Sequence, residues 1–110
     1  MLNQLLIIGR LVKDPELRKT ESGKNVTNIT LAVPRSYKNI NGEYDTDFVD
    51  CVLWNNVAES TTEYCHKGDL LGVKGRIQTR SYEKEDGKKF VTEVVAEKVS
   101  FLSSNKKADR

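Results

Sequence analysis

Aromatic rings recur beside basic side chains along this chain: Tyr37 lies between Arg35 and Lys38, Tyr82 between Arg80 and Lys84, and Phe90 follows Lys88 and Lys89. Phe48 and Trp54 fall on the same parity of the segment DFVDCVLWN (47–55), with Asp50 between them and about 20 Å along a strand from ring to ring. In KGRIQTRSYEK (74–84), Lys74, Arg76, Arg80, Tyr82 and Lys84 share one parity. Flat rings flanked by cations suit a partner that is itself flat and negatively charged. Unpaired nucleobases stack on such rings at roughly 1 to 3 kcal/mol per base, while Lys and Arg neutralise the phosphates between them. Bases inside a duplex hide those faces, and no stretch reads as a recognition helix, so the pattern points to single-stranded nucleic acid. Each feature alone has a plainer reading. The 74–84 face can simply be solvated, a β-bulge could turn Trp54 into the core, Tyr37 can pack on its own loop, and Phe90 and Tyr64 read as packing residues.

Catalysis finds little support. The single histidine, His66, is adjacent to Cys65 in a helical stretch, where neighbours do not share a face, and no second Cys/His pair exists to complete a zinc site. Ser60, Thr61 and Thr62 lack a base and an oxyanion arrangement. Gly72 and Gly75 lie inside a strand pattern rather than in a phosphate-binding loop. The chain reads as a binder that needs no cofactor and no metal.

These residues need a scaffold, and hydrophobic periodicity supplies it. LLIIGRLV (5–12) is apolar on both faces except for Arg10, as expected of a strand covered by the core on one side and by another subunit on the other. Asp14-Pro15 breaks it, TESGKN (20–25) supplies a turn, and VTNITLAV (26–33) aligns Ile29, Leu31 and Val33 on one face. Pro34 is expected to end that strand, and Asn41-Gly42 marks the tip of a long hairpin over 34–47. In 47–55 the aliphatic set Val49, Cys51 and Leu53 is the core face, leaving Phe48, Asp50, Val52 and Trp54 opposite. NVAESTTEYCHK (56–67) switches to helical spacing through Val57, Thr61, Tyr64 and Cys65, with Asn56 as N-cap and Gly68 as C-cap. Strands over 70–84 and 89–102 follow, joined at Asp86-Gly87. Five strands with one helix between the third and fourth is the order of the OB-fold, a mainly β, five-stranded Greek-key barrel.

The bulk properties agree with one such domain. At 110 residues, 37% hydrophobic and 31% charged, the chain can bury roughly two-thirds of its unfolded surface in one modest core. No apolar run approaches a membrane span, and the N-terminus lacks the features of a signal peptide, so a cytoplasmic protein with reduced Cys51 and Cys65 is expected. The formal net charge is only +2, so any case for a nucleic-acid partner rests on where the charges lie.

Three longer stretches carry a resemblance: GRLVKDPELR with the following T-x-S-G, the D-F-V strand ending in WNNVAE, and GRIQTRSY with DG and then TEVVA. Together they resemble the bacterial single-stranded DNA-binding protein family, over residues 1 to about 103. The resemblance implies an OB-fold domain over 1–103, a homotetramer or occasionally a dimer of doubled folds, single-stranded DNA wrapped outside it, and a cytoplasmic, nucleoid-associated role in replication, recombination and repair. By position it assigns base stacking to Tyr37, Phe48, Trp54 and Tyr82, and backbone binding to Arg10, Arg35, Lys74, Arg76, Arg80, Lys84, Lys88 and Lys89. Lys38 and Phe90 join these sets through the aromatic and basic clusters described above. Many members continue into a flexible linker and an acidic tip that recruits replication and repair enzymes. Here the polar stretch 104–110, expected to be a disordered tail, ends in the basic NKKADR. Two readings follow: the folded domain of a longer protein, or a short paralogue used in DNA uptake and recombination. A primosome-type accessory module and an OB-fold nuclease are the competing functional classes.

Overall fold

The computed structural model describes residues 1–104. Beyond Ser104, the tail expected over 104–110 lies outside them. The elements in chain order are β1 (Leu5–Leu11), β2 (Arg18–Lys19), β3 (Asn25–Lys38), β4 (Tyr44–Trp54), α1 (Asn55–Tyr64), β5 (Leu70–Lys84) and β6 (Gly87–Ser103). The sheet runs β1-β5-β6-β4-β3-β2, and β1 also pairs with β3 through Arg10↔Ala32 and Leu11↔Leu31. That extra pairing closes β1, β5, β6, β4 and β3 into a five-stranded barrel, with the two-residue β2 appended to β3. The helix falls between the third and fourth long strands, as in an OB-fold. All pairings are antiparallel except β4 with β6, which run parallel through Cys51↔Val94 and Val52↔Val95.

Alternation decides which side chains fill the barrel. Leu31, Leu53, Leu71 and Val73 are fully buried, joined by Leu11, Ile29, Cys51, Val94 and Ala96, with Val33 and Val49 packed against them. On the opposite face of the same strands, Val26, Val52 and Val95 form a separate small cluster. The sheet therefore hides some apolar surface on its outside as well, and the pattern in 47–55 gave no sign that Val52 would be covered.

Several boundaries differ from expectation. β3 does not end at Pro34. It continues to Lys38, because the ladder shifts between Pro34↔Thr46 and Lys38↔Tyr44, leaving residues 35–37 opposite the single Asp45. A proline that donates no hydrogen bond is tolerated at such an irregularity. The hairpin turn forms where Asn41-Gly42 placed it, with Gly42 at φ +79° and the Asn39 side chain accepting from the N–H groups of Asn41 and Glu43. Asn56 is not the N-cap of α1: Trp54 holds that position without a side-chain cap, and Asn55 turns the chain at φ +53°. The helix closes on an extended Cys65, and Gly68 (φ +90°) serves the next turn instead, donating its N–H to the Leu11 carbonyl. Ala58 and Thr61 are the buried helical residues, whereas Tyr64 is 67% exposed, so its expected packing role is not observed. Cys51 and Cys65 are both free and buried, and desolvation pushes the Cys51 thiol up to about 12.

Two glycines permit close strand approach. A Cβ on Gly9 would meet the Ala32 carbonyl oxygen at 2.8 Å, where β1 passes from β5 to β3. A Cβ on Gly75 would collide with the Val95 backbone carbonyl, beside the bulge at which Lys74↔Lys98 gives way to Gly75↔Ala96. Because backbone rather than a flexible side chain obstructs it, Gly75→Ala should lower unfolding free energy by about 1 to 3 kcal/mol in urea titrations. An unchanged denaturation midpoint would mean that β5 and β6 can separate there at no cost.

Candidate nucleic-acid interface

The even-numbered residues of β4 face outward. Trp54 is opposite Val26, Val52 opposite Asn28, Asp50 opposite Thr30, and Phe48 opposite Ala32. Directly opposed residues on neighbouring strands share a face. The same surface continues across β6 and β5, where Arg76, Gln78, Arg80 and Tyr82 oppose Val95, Glu93, Val91 and Lys89. Phe48 is 67% exposed, Trp54 38% and Tyr82 39%. The bulge that could have turned Trp54 inward does not occur in β4.

Because β4 and β6 run parallel, their N-terminal halves leave the barrel at the same end. The β3–β4 and β5–β6 hairpins therefore project together as two arms, each continuing the outer face. Tyr37 is exposed on the first arm, within the shifted segment 35–37. Lys38 and Tyr44 are opposite one another there, with the ammonium 5.8 Å from the ring centroid. On the second arm the Arg80 guanidinium and the Lys84 ammonium stand 6.0 and 5.6 Å from the Tyr82 ring centroid. Cations so placed are attracted to the ring's negative face and keep positive charge beside the stacking surface.

Not every expected residue joins this surface. Phe90 opposes Ser81 and Lys88 opposes Glu83, so both lie on the reverse of the β5–β6 arm from Tyr82 and Lys89. Arg10 lies in the row Arg10–Ala32–Phe48 created by barrel closure, but its Nη1 donates to the Gly68 carbonyl at 2.9 Å. Lys74 opposes Leu6 and Lys98, nearer the β1 side. Lys84 opposes Gly87 at the hairpin turn. Tyr44 was missed by sequence reading, although it continues the parity of Phe48 and Trp54. Its stretch reads as polar hairpin, and only the length of β4 reveals it as strand.

Two of the arginines are already engaged by carboxylates. Arg35 donates from Nε and Nη2 to Asp47 at 3.0 to 3.3 Å, with Asp45 at 4.0 Å. Arg80 donates from Nε to Glu93 at 2.7 Å, and Arg76 donates to Gln78 at 3.1 Å. Asp50 accepts from Thr30 Oγ1 at 2.8 Å in the middle of the outer face. The Arg35 hydrogen bond holds the Asp47 carboxyl below its ordinary pKa, and Asp47 in turn raises that of Arg35. Water screens the exposed Arg35–Asp47 pair, so an incoming phosphate can replace that carboxylate readily, whereas Glu93 opposite Arg80 is largely covered.

A closed five-stranded barrel with an exposed aromatic and basic sheet face places the chain in the OB-fold class of binding domains. The model of the single-strand binding protein family matches residues 2–102, and the chain belongs to that family. It is 55% identical over 103 residues to the single-stranded DNA-binding protein B of Bacillus subtilis, covering 93% of this chain and 91% of that one. It is 52% identical to single-stranded DNA-binding protein 3 of Listeria innocua, of which it spans 66%, and 53% identical to the single-stranded DNA-binding protein of Halalkalibacterium halodurans, of which it spans 61%. The chain thus spans nearly all of one relative and under two-thirds of the other two.

The Arg35–Asp47 pair yields a pH prediction. A carboxyl whose folded pKa is depressed contributes stability above its unfolded pKa, and loses it as pH falls through the folded value. Carboxyl NMR should show Asp47 titrating below the ordinary aspartate range, and Arg35→Gln should return it to that range. A normal titration of Asp47 in the unaltered protein would contradict the pairing.

Proposed function

We propose that this protein binds single-stranded DNA without strong sequence preference, shielding it and removing hairpins during replication, recombination and repair. The observation that carries this reading is one continuous outer sheet face on which Phe48, Trp54 and Tyr82 are interleaved with Arg76, Arg80 and Lys89. Bases stack on the three rings, with Tyr37 extending the path along the β3–β4 arm. Arg76, Arg80, Lys84 and Lys89 meet phosphates on the sheet and the second arm, while Arg35 and Lys38 do so on the first. Arg10 and Lys74 border the track, one beside Phe48 and the other toward β1. Phe90 and Lys88 are reached only by a strand that passes around the tip of the β5–β6 arm. No base-edge reader dominates the face, which fits indifference to sequence. The relatives' names agree with this reading.

The chain acts as a homotetramer in this proposal. Leu6 and Ile8 on the outer face of β1 are 71% and 52% exposed, and Leu102 on β6 is 47% exposed beside Gly72. An apolar patch of this kind on a small barrel is suited to burial against another copy. Linked sites then wrap one strand with higher avidity than a single barrel achieves. The proposed setting is cytoplasmic; among the described residues no helix is long and apolar enough to cross a membrane.

Trp54 is the only tryptophan, so its fluorescence reports on one stacking position. Adding oligo-dT should quench it strongly and leave the DNA intact. Log affinity should fall with log salt by roughly 0.7 per phosphate contact, and a flat salt response would contradict the reading. Trp54→Ala should weaken binding by about 1 to 3 kcal/mol while the domain stays folded. Weak binding with little quenching would instead favour an accessory module acting through protein contacts, and cleavage of labelled strands would indicate a nuclease. Ile8→Glu should convert the assembly to smaller species in sedimentation velocity. An unchanged tetramer would place the interface elsewhere.

A further inference from the structure

The outer face does not stop at Trp54. Trp54 forms one wall of a groove of about 390 Å³ whose other walls are Thr20, Ser22 and Lys24, from the turn between β2 and β3, and Asn55. None of these four neighbours belongs to the aromatic and basic pattern along the strands. We propose that this groove is a single-nucleotide subsite: a base stacks on Trp54 while Lys24 and the Ser22 hydroxyl hold the adjoining phosphodiester. The inference rests on the single-stranded DNA reading above, which already stacks a base on Trp54, and adds Lys24 and Ser22 as contacts to the adjoining phosphate.

Three observations converge on it. The turn is fixed before any ligand arrives, since Thr20 exchanges backbone hydrogen bonds with Lys24 and Gly23 at 2.9 Å. Its Oγ1 also accepts from the Lys24 N–H at 3.2 Å and pairs with Ser22 Oγ at 3.0 Å. Gly23 at φ +85° makes so tight a turn possible. Hydroxyls held this way are in place for an oxygen ligand without further loss of freedom.

Charge is the second observation. Among the described residues, Lys24's ammonium has no ion pair, unlike the guanidinium groups of Arg35 and Arg80. A phosphate therefore has no internal carboxylate to displace there. Glu21, on the same turn, is not a wall of the groove.

The third is position. Asn55 at φ +53° turns the chain into α1 directly after Trp54, which keeps the indole at the end of the sheet facing the turn. A volume near 390 Å³ lies toward the small end of ligand clefts, suited to one nucleotide rather than a longer segment.

The test titrates wild type, Lys24→Gln, Ser22→Ala and the charge control Lys67→Gln with oligo-dT over a salt series, reading Trp54 quenching. Lys24 and Lys67 are exposed, so both variants should fold, and circular dichroism checks this. Lys24→Gln should weaken binding about three- to tenfold at low salt and reduce the salt slope by about 0.7, with Lys67→Gln close to wild type. Ser22→Ala should weaken binding less and leave the slope unchanged. Wild-type binding with an unaltered slope in Lys24→Gln, or equal losses in Lys24→Gln and Lys67→Gln, would overturn the subsite and leave the general reading standing. Absence of wild-type binding would overturn both.

Discussion

β1 hydrogen-bonds along β5 from Leu5 to Arg10 and then to β3 at Arg10 and Leu11, and this double pairing makes a barrel of what would otherwise be an open sheet. Closure removes the exposed edges that an open sheet presents and gives every long strand an inside and an outside. Gly9 stands at the crossing point because a Cβ there has no room against Ala32 and Val33. Once the barrel is closed, period-two alternation does the rest. Leu31, Leu53 and Val73 go inward, and their neighbours Ala32, Trp54 and Lys74 go outward.

The outer face is less positive than a count of its cations suggests. Glu93 and Asp50 stand among its arginines and rings and Arg80 is bonded to Glu93, while Arg35 is held by Asp47, which lies on the other parity of β4 from Phe48. With a formal net charge of only +2, the chain relies on local arrangement rather than overall field. Internal carboxylates that hold a guanidinium in place also fix its orientation, and they let a bound strand exchange contacts without leaving a charge unsolvated. A surface that must grip and release a strand of any sequence gains from contacts that are individually weak.

Much of this was legible in the residues. The order of strands and helix, the turn at Asn41-Gly42, and the core face Val49, Cys51 and Leu53 follow from short-range chemistry, which a sequence displays directly; the β5–β6 turn falls one residue earlier than expected, on Glu85-Asp86, with Gly87 already in β6. Strand parity set Phe48 and Trp54 apart from that core face, and the register of β4 with β3 places both outside. What stayed hidden depends on pairing between distant segments. The shifted ladder that carries β3 past Pro34, the Arg80–Glu93 bond between β5 and β6, and the reverse-face position of Phe90 are consequences of register, which composition and periodicity do not encode. Tyr44 was obscured because a polar arm resembles a loop until its partner strand is known. The groove at Trp54 joins residues more than thirty positions apart, about a third of the chain, and no local pattern announces it.

The central claim is that one sheet face, not exposed aromatic surface in general, carries the strand. Photo-crosslinking of oligo-dT followed by peptide mapping tests it directly, because Tyr64 and Phe101 are 67% and 51% exposed yet lie off that face. Adducts are expected at Phe48, Trp54 and Tyr82 and none at Tyr64 or Phe101. Adducts distributed according to exposure alone, or concentrated at Tyr64 and Phe101, would contradict it.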